Sequence, residues 1–110
     1  MNFKNLDDFW AFYVSQHSKA LTRRLHFMGT LSGLLCLLSS LLCRRWILLL
    51  PAPIIGYALA WYSHLFVEGN VPATFGHPLW SFLCDLKMFA FMLSGRMDKE
   101  IKRLGKRPLL

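Results

Sequence analysis

The sequence predicts an all-α fold: a small helical integral membrane protein in which flanking amphipathic or half-inserted helices accompany an antiparallel transmembrane hairpin. Two apolar runs carry this prediction, because residues 26–43 and 46–67 contain no formal charge over 18 and 22 positions. Each is near the ~20 residues that an α-helix needs to cross a bilayer. Hydrophobic residues make up 55% of the chain, above the roughly 45–50% of soluble domains. The alternative is a soluble hairpin buried in an oligomer core, which the lack of a polar stripe in either run disfavours.

Further helices are predicted on both sides of the hairpin, within a single domain of residues 1–110. Asn5 can cap the first helix, whose aromatic residues at 9–13 suit a membrane interface. A third apolar helix at about 79–93 holds two charged residues and is expected to be tilted or half inserted. A basic helix at about 96–107 repeats apolar residues every three or four positions, which is typical of a helix lying on a membrane surface.

Prolines and glycines interrupt the second half of the chain. Pro51 and Pro53 are expected to kink or break the start of the second apolar run, leaving residues 54–67 as its regular part. A short or re-entrant helix is the alternative to a full span there. Residues 69–78 contain two Gly and two Pro and are predicted to form a loop.

The net charge of +7 indicates a partner of opposite charge. Its basic residues flank the apolar runs and no nucleic-acid motif accompanies them, so anionic lipid is a simpler partner than nucleic acid. Their concentration near both ends places both termini on the cytoplasmic side, in what we expect to be a bacterial inner membrane, although Arg44 and Arg45 at the hairpin turn oppose this. We expect no cleavable signal peptide. Three widely spaced cysteines without CxxC indicate free thiols.

The four histidines of the chain fall into two pairs, one before and one after the hairpin turn: His17 and His26, then His64 and His77. His26 lies 19 positions before Arg45 and His64 lies 19 after it, so antiparallel helices return both to one level. His17 and His26 are nine residues apart, half a turn out of phase, and converge only if the chain bends. We expect this bend near residues 16–21, and a metal site where the histidines meet.

Two carboxylates accompany the histidines. Glu68 follows His64 by four residues, so one metal could take both, or the glutamate could orient the imidazole. Asp85 is the other carboxylate between Asp8 and Asp98, and we expect it either to support the site or to pair with a basic residue. Imidazole with carboxylate suits Fe(II), Zn(II) or Mn(II), and ligand type alone does not choose among them.

Two segments, FYVSQHSKALTRRLHFMGT at 12–30 and GYALAWYSHLFVEGNVPATFGHPLWSFLCDLKMF at 56–89, resemble the Mpo1-like family. The resemblance implies a small multi-helical membrane protein with Fe(II)-dependent dioxygenase activity. It further implies that the enzyme uses O₂ to convert a long-chain 2-hydroxy fatty acid to the fatty acid one carbon shorter, with histidines holding the iron.

The resemblance also assigns roles to individual residues. His17 and His26 match the first histidine pair of the family, and His64 matches its second motif. The positions that match the signature following His64 are Glu68, Asn70, Pro72 and Ala73. Gly69 departs from the basic residue expected there, and His77 lies in a loop that differs among relatives.

The substrate implied by the resemblance is an amphiphile whose carboxylate could pair with Arg23 or Arg24, with Asn70 also assigned to substrate binding. The alternative for each arginine is a topology anchor. Two other function classes stay open: an electron carrier with haem between His26 and His64, and a membrane scaffold without catalytic activity. The sequence leaves a homo-oligomer open.

Overall fold

The computed structural model describes residues 3–105, apart from the side chain of Ala73. In this part of the chain every regular element is helical, which confirms the predicted all-α fold. The α-helices are α1 (Leu6–Ser15), α2 (Ala20–Cys43), α3 (Pro51–Tyr62), α4 (Pro78–Leu93) and α5 (Met97–Gly105). Shorter elements are 3₁₀ turns at Trp46–Leu49 and Ala73–Phe75 and a π-helical turn at Ser63–Glu68.

The hairpin consists of α2 and of α3 with the turns that extend it. Its two arms, Ala20–Cys43 and Trp46–Glu68, are long and apolar enough to cross a membrane. Only 17% of the most apolar 18-residue window of each arm is buried. Most of the large apolar side chains that are exposed in the described part of the chain belong to these two arms. The longer arm has 24 residues, about 36 Å at 1.5 Å per residue. The hairpin therefore presents the kind of surface that lipid covers.

The two helices of the hairpin meet backbone to backbone at small residues. A Cβ added at Gly29 would lie 2.8 Å from the carbonyl oxygen of Gly56, and one at Gly33 would lie 3.0 Å from that of Ala52. Gly29 and Gly33 are four residues apart, and the same spacing separates Ala52, Gly56 and Ala60. This spacing places small residues on one helix face, which lets membrane helices approach closely.

The second arm differs from its prediction at both ends. α3 begins at Pro51 instead of residue 54, because the first N–H groups of a helix have no intrahelical partner and a proline there loses nothing. The break falls in the preceding 3₁₀ turn. At the other end, α3 does not continue regularly to residue 67 but widens into the π-helical turn at Ser63–Glu68.

A second packing unit, which we call the aromatic core, is formed by α1, α4 and α5. Its buried residues are Phe9, Trp10, Ala11, Tyr13, Val14, Cys84, Met88, Met97 and Leu104. Fully burying a large apolar side chain stabilises the fold by roughly 1.5–3 kcal/mol, and Phe9, Trp10 and Tyr13 are all almost completely buried. The expectation that the aromatic residues of α1 lie at a membrane interface is wrong for these three, because α4 and α5 bury them within the protein.

α5 packs its apolar face on the aromatic core. Met97 and Leu104 are each 4% exposed. The indole Nε1 of Trp10 donates to Glu100 at 2.8 Å, and Arg103 donates to both carboxylate oxygens of Glu100 at 2.6 and 2.9 Å. Arg103 first, and Trp10 with it, lower the pKa of Glu100 to about 2. The prediction that this helix lays its apolar face on the membrane is wrong, because that face packs on the aromatic core. Residues 106 and 107 of the predicted helix lie outside the described part of the chain.

α4 directs its two charged side chains toward α1. The hydroxyl of Tyr13 donates to Asp85 at 2.5 Å, and the Lys87 ammonium lies 4.5 Å from the ring centroid of Trp10. Asp85 and Lys87 therefore find polar or aromatic partners within the protein. This placement lets an otherwise apolar helix carry two charges beside the hairpin.

We expect Gly29→Ala to destabilise the protein by about 1–3 kcal/mol, because the added methyl group overpacks against the backbone of α3. Gly56→Ala is the matched control: its Cβ would lie 3.5 Å from the Gly29 carbonyl oxygen, an ordinary contact. Alanine is favoured over glycine within a helix by up to about 1 kcal/mol, so the control should be neutral or stabilising. Thermal unfolding in detergent, followed by circular dichroism, measures both. Equal destabilisation by the two variants would contradict the proposed close contact.

Candidate metal centre

Three histidines from three separate elements meet at one end of the hairpin. His17 lies in the turn after α1, His26 lies in α2, and His64 lies in the π-helical turn. Their ring centroids are 4.7 Å (His17 to His26), 4.5 Å (His17 to His64) and 5.6 Å (His26 to His64) apart. One nitrogen from each ring lies within 4.8 Å of the other two, and all three side chains are buried.

The predicted bend between His17 and His26 is confirmed, since α1 ends at Ser15 and α2 begins at Ala20. The guanidinium of Arg23 donates to the carbonyl oxygens of His17 and Ser18 at 2.6 and 2.9 Å. Two carbonyl groups of the turn are thus tied to the first turns of α2. The bend turns the His17 ring toward His26 instead of half a turn away.

The π-helical turn places His64 and its partner Asn70. The carbonyl oxygen of His64 accepts from the backbone N–H groups of Gly69 and Asn70 at 2.8 and 2.9 Å, which closes the wider helix. Gly69 has φ +77°, a left-handed conformation that favours glycine. This conformation gives a physical reason for glycine where the family resemblance led us to expect a basic residue. Single π-helical turns are frequent at functional sites.

Hydrogen bonds fix which nitrogen of His17 and His64 carries the hydrogen. Nδ1 of His17 lies 2.6 Å from the carbonyl oxygen of Tyr13, which can only accept. Nδ1 of His64 lies 2.7 Å from Oδ1 of Asn70, and Nδ2 of Asn70 donates to the carbonyl oxygen of Gln16 at 3.1 Å, which sets the orientation of the amide. Both histidines therefore donate through Nδ1, and each Nε2 keeps its lone pair.

His26 has a carboxylate on its Nδ1 side. Oδ1 of Asp85 lies 3.7 Å from this nitrogen and accepts the hydroxyl hydrogen of Tyr13 at 2.5 Å. Burial raises the pKa of Asp85 to about 7, against the opposing effect of the Tyr13 hydrogen bond. Burial and then the Asp85 charge raise the pKa of Tyr13 well above its usual value. Tyr13 thus supports two histidines, His17 through its carbonyl oxygen and His26 through Asp85.

The interior of the cluster is short of hydrogen-bond donors. Nε2 of His17 is buried and has no hydrogen-bond partner. Burial, and then the neighbouring His26 and His64, lower the pKa of His17 well below its usual value, so its ring is neutral near pH 7. Buried polar atoms are normally hydrogen-bonded, so an orphaned lone pair facing two other imidazoles has the chemistry of a metal ligand.

Glu68 lies outside this group and caps α2. Its carboxylate accepts from the Ser18 hydroxyl at 2.8 Å and from the backbone N–H of Lys19 at 2.5 Å. The expectation that Glu68 shares a metal with His64 or orients its imidazole is corrected, because Asn70 occupies the Nδ1 side of that ring. The π-helical turn ends at Glu68, and from there its side chain reaches the start of α2.

Three residues predicted to bind substrate lie around the cluster in different ways. Arg23 holds the His17 turn through carbonyl groups, and Asn70 orients His64. Arg24 is exposed. The structure gives Arg23 and Asn70 positioning contacts that the sequence did not indicate, and substrate binding by all three residues stays a prediction.

His77 does not join the other histidines. Its ring stacks on Trp80 at 5.6 Å and meets the edges of Phe3 and Phe9 at 5.4 and 5.2 Å. The group of potential ligands within the described residues contains His17, His26 and His64. The expectation of four converging histidines is therefore corrected to three, because the loop before α4 carries His77 to the aromatic core.

Sequence reasoning missed Tyr13 as a site residue. The sequence places it only among the aromatic residues of the first helix, although it precedes His17 by four positions. That spacing puts its carbonyl oxygen within reach of the histidine ring and stacks the two rings at 4.1 Å. The helical spacing was the available signal, but recognising it required knowing that α1 ends just before His17.

The fold and the site together define a class: a small all-helical protein with an apolar hairpin and three buried histidines gathered at one end. The chain belongs to the Mpo1-like family, described as 2-hydroxy-palmitic acid dioxygenase Mpo1-like, whose sequence model matches residues 3–97. This confirms the resemblance seen in the sequence and covers all three clustered histidines. No curated protein and no solved structure matches the chain.

We expect Glu68→Ala to lower stability by about 1 kcal/mol, as loss of a helix cap does. Glu68→Gln is the control, since its amide oxygen can still accept from the Lys19 N–H while its amide nitrogen can donate to the Ser18 hydroxyl oxygen. Thermal unfolding in detergent measures both. Strong destabilisation by Glu68→Gln, equal to that of Glu68→Ala, would show that the negative charge matters more than the cap.

Proposed function

We propose that His17, His26 and His64 bind one divalent metal ion through their Nε2 atoms. The observation that carries this proposal is that the two nitrogens of each imidazole ring have different surroundings. The Nδ1 atoms face outward toward a carbonyl, an amide oxygen and a carboxylate, while ligand nitrogens of all three rings converge within 4.8 Å. Metal-binding histidines nearly always place their second nitrogen against such an acceptor.

We further propose that the metal is Fe(II) and that the protein is a dioxygenase acting on 2-hydroxy fatty acids. Membership of the Mpo1-like family supports this assignment. Fe(II) would supply the redox chemistry by which O₂ is activated. Atoms balance when a 2-hydroxy acid and O₂ give the acid one carbon shorter, CO₂ and water, with the bond between the carboxyl carbon and the hydroxyl-bearing carbon broken.

The surroundings of the cluster suit an anionic amphiphile. Three neutral imidazoles leave the charge of a divalent ion uncompensated, which favours a carboxylate in the remaining space. The hairpin that carries His26 and His64 is apolar and exposed, so a hydrocarbon chain beside the cluster has apolar neighbours. The protein residues bind and orient the histidines and exclude water from the buried cluster.

The two alternatives, a haem-binding electron carrier and a scaffold without catalytic activity, fit the geometry of the histidine cluster less well. A haem between His26 and His64 needs room for a macrocycle, but the His17 ring stands 4.7 Å from one and 4.5 Å from the other. A scaffold without chemistry gives no reason for the buried and unpaired Nε2 of His17, since a buried polar atom without a partner costs stability.

We expect His17→Ala, His26→Ala and His64→Ala each to remove most of the bound metal, whereas His77→Ala keeps it. Asn70→Ala should weaken metal affinity roughly 10–100-fold, because it frees the His64 ring without removing a ligand. Elemental analysis and Co(II) absorption spectra of purified protein measure binding, with circular dichroism as the folding control. Unchanged metal content in the folded variants of the three clustered histidines would refute the metal centre.

We expect Fe(II)-loaded protein to consume O₂ with a long-chain 2-hydroxy fatty acid and to release the acid one carbon shorter. The non-hydroxylated acid should be inert, since it lacks the second oxygen beside the carboxylate. Zn(II) should fill the site without turnover, because it has no redox chemistry. Oxygen-electrode traces and mass spectrometry of the products test this. Absence of O₂ consumption with 2-hydroxy acids of every chain length would refute the dioxygenase assignment while leaving the metal centre intact.

We also propose that both termini, and with them the histidine cluster, face the cytoplasm, because basic residues crowd the ends of the chain. Cys43 is exposed at the hairpin turn and is a natural probe in a Cys36→Ser background. A membrane-impermeant thiol reagent should label it from the side opposite the cytoplasm. Asp98→Cys in a cysteine-free background should be labelled from the cytoplasm, and labelling of both probes from one side would contradict the spanning topology.

A further inference from the structure

A cavity of about 200 Å³ begins beside the histidine cluster and runs along the hairpin. It lies between α2, α3 and the flank of α4, whose Phe82 and Leu86 contribute to its wall. From His26 to Leu37 it follows twelve residues of α2, whose eleven steps span about 16 Å at the rise of an α-helix. The cavity is therefore long and narrow, with one end at the candidate metal centre.

Polar and apolar lining residues lie at opposite ends of this cavity. The lining residues with polar side chains are His26, Thr30, Tyr57 and Asp85, all near the level where Gly29 meets α3. The distant end is lined by Leu34, Leu37, Leu49 and Pro53. A cavity divided in this way matches a molecule with one polar head and one hydrocarbon chain.

The small residues that join the hairpin also leave room for the cavity. Gly33, Ala52 and Gly56 line it, and none of them extends a side chain beyond Cβ. Gly33 and Ala52 are in close backbone contact, so this part of the wall is formed by tightly packed main chain. Side chains longer than alanine at these positions would fill the space, and at Gly33 they would also push the helices apart.

We propose that this cavity holds the hydrocarbon chain of a single-chain 2-hydroxy fatty acid, with the head group at His26, and that Leu34 and Leu37 determine which chain lengths are accepted. The inference rests on the proposed function for the identity of the head group. One narrow apolar arm accommodates one chain, whereas a membrane phospholipid brings two chains and a bulky head group to the same end.

Photo-crosslinking locates the chain without requiring turnover. Two long-chain 2-hydroxy acids are used on the full-length protein in vesicles, one with a diazirine near the head group and one with a diazirine at the methyl end. We expect the first to label the region of Thr30 and Tyr57 and the second to label that of Leu37 and Leu49. Labelling by both probes mainly on the outer face of α2, at Leu35 or Leu38, would overturn the proposal. Cavity labelling by a diazirine phospholipid that the free hydroxy acid does not displace would also overturn it.

A matched pair of variants tests the role in chain length. Leu34→Trp narrows the distant part of the cavity about one helical turn before Leu37, whereas Leu35→Trp adds the same side chain to the neighbouring exposed position that does not line the cavity. Each methylene kept from burial lowers affinity roughly fourfold, so excluding two or three should weaken binding of a long chain roughly 15- to 60-fold. Short-chain acids and the Leu35→Trp protein should bind within about twofold of the unmodified protein. Equal effects of the two variants would overturn the proposal.

Binding is measured by displacement of a fluorescent fatty acid from both metal-free and Fe(II)-loaded protein, and Leu37→Trp extends the series toward the far end. We expect Leu37→Trp to affect only the longest chains. If Leu34→Trp loses all binding and its circular dichroism spectrum is altered, the variant is misfolded and Leu37→Trp is used instead. An unchanged chain-length profile in Leu37→Trp would then overturn the proposal. Correct labelling without O₂ consumption would refute the proposed function alone, and O₂ consumption with an unchanged profile in both variants would refute this inference alone.

Discussion

The close contact of α2 and α3 at Gly29 and Gly56 determines the geometry of the histidine cluster and of the cavity beside it. His26 lies one turn before Gly29, and His64 lies about two turns after Gly56. If the helices stood apart by the width of a larger side chain, the two histidine rings could not lie 5.6 Å from each other. The backbone contact in the apolar hairpin therefore sets the spacing of the polar cluster. It also shapes the cavity, since the same small residues form part of its wall.

The helices of the aromatic core supply the third histidine and the hydrogen-bond acceptors that the hairpin lacks. A hairpin of apolar helices offers two histidines but few acceptors to orient them. α1 brings His17 and the carbonyl oxygen of Tyr13, and α4 brings Asp85. Packing of α1 against α4 fixes the distance between Tyr13 and Asp85, so the burial of Phe9 and Trp10 indirectly holds the ring of His26. Stability of the aromatic core and orientation of the histidines are thus parts of one arrangement.

The features of the fold and site that could be predicted are those that depend on distances along the sequence. Apolar run lengths predicted the hairpin, equal distances from Arg45 predicted that His26 and His64 share a level, and helix phase predicted the bend before α2. The faces of α1 and α5 could not be assigned in the same way. An apolar stripe has the same period whether lipid or protein covers it, and only the packing of α1, α4 and α5 decides between them.

The assignment of His77 and Glu68 failed for a related reason. Both lie close in sequence to site residues, yet the π-helical turn and the loop that follows rotate them away from the cluster. A residue four positions after His64 shares its face in an α-helix, but the wider turn changes that phase and leaves Glu68 facing the start of α2. The same turn brings Asn70 back to the His64 ring, so the local widening that removed the predicted partner also supplied the observed one. The three histidines then lie where the packing of α1 and α4 meets the apolar hairpin.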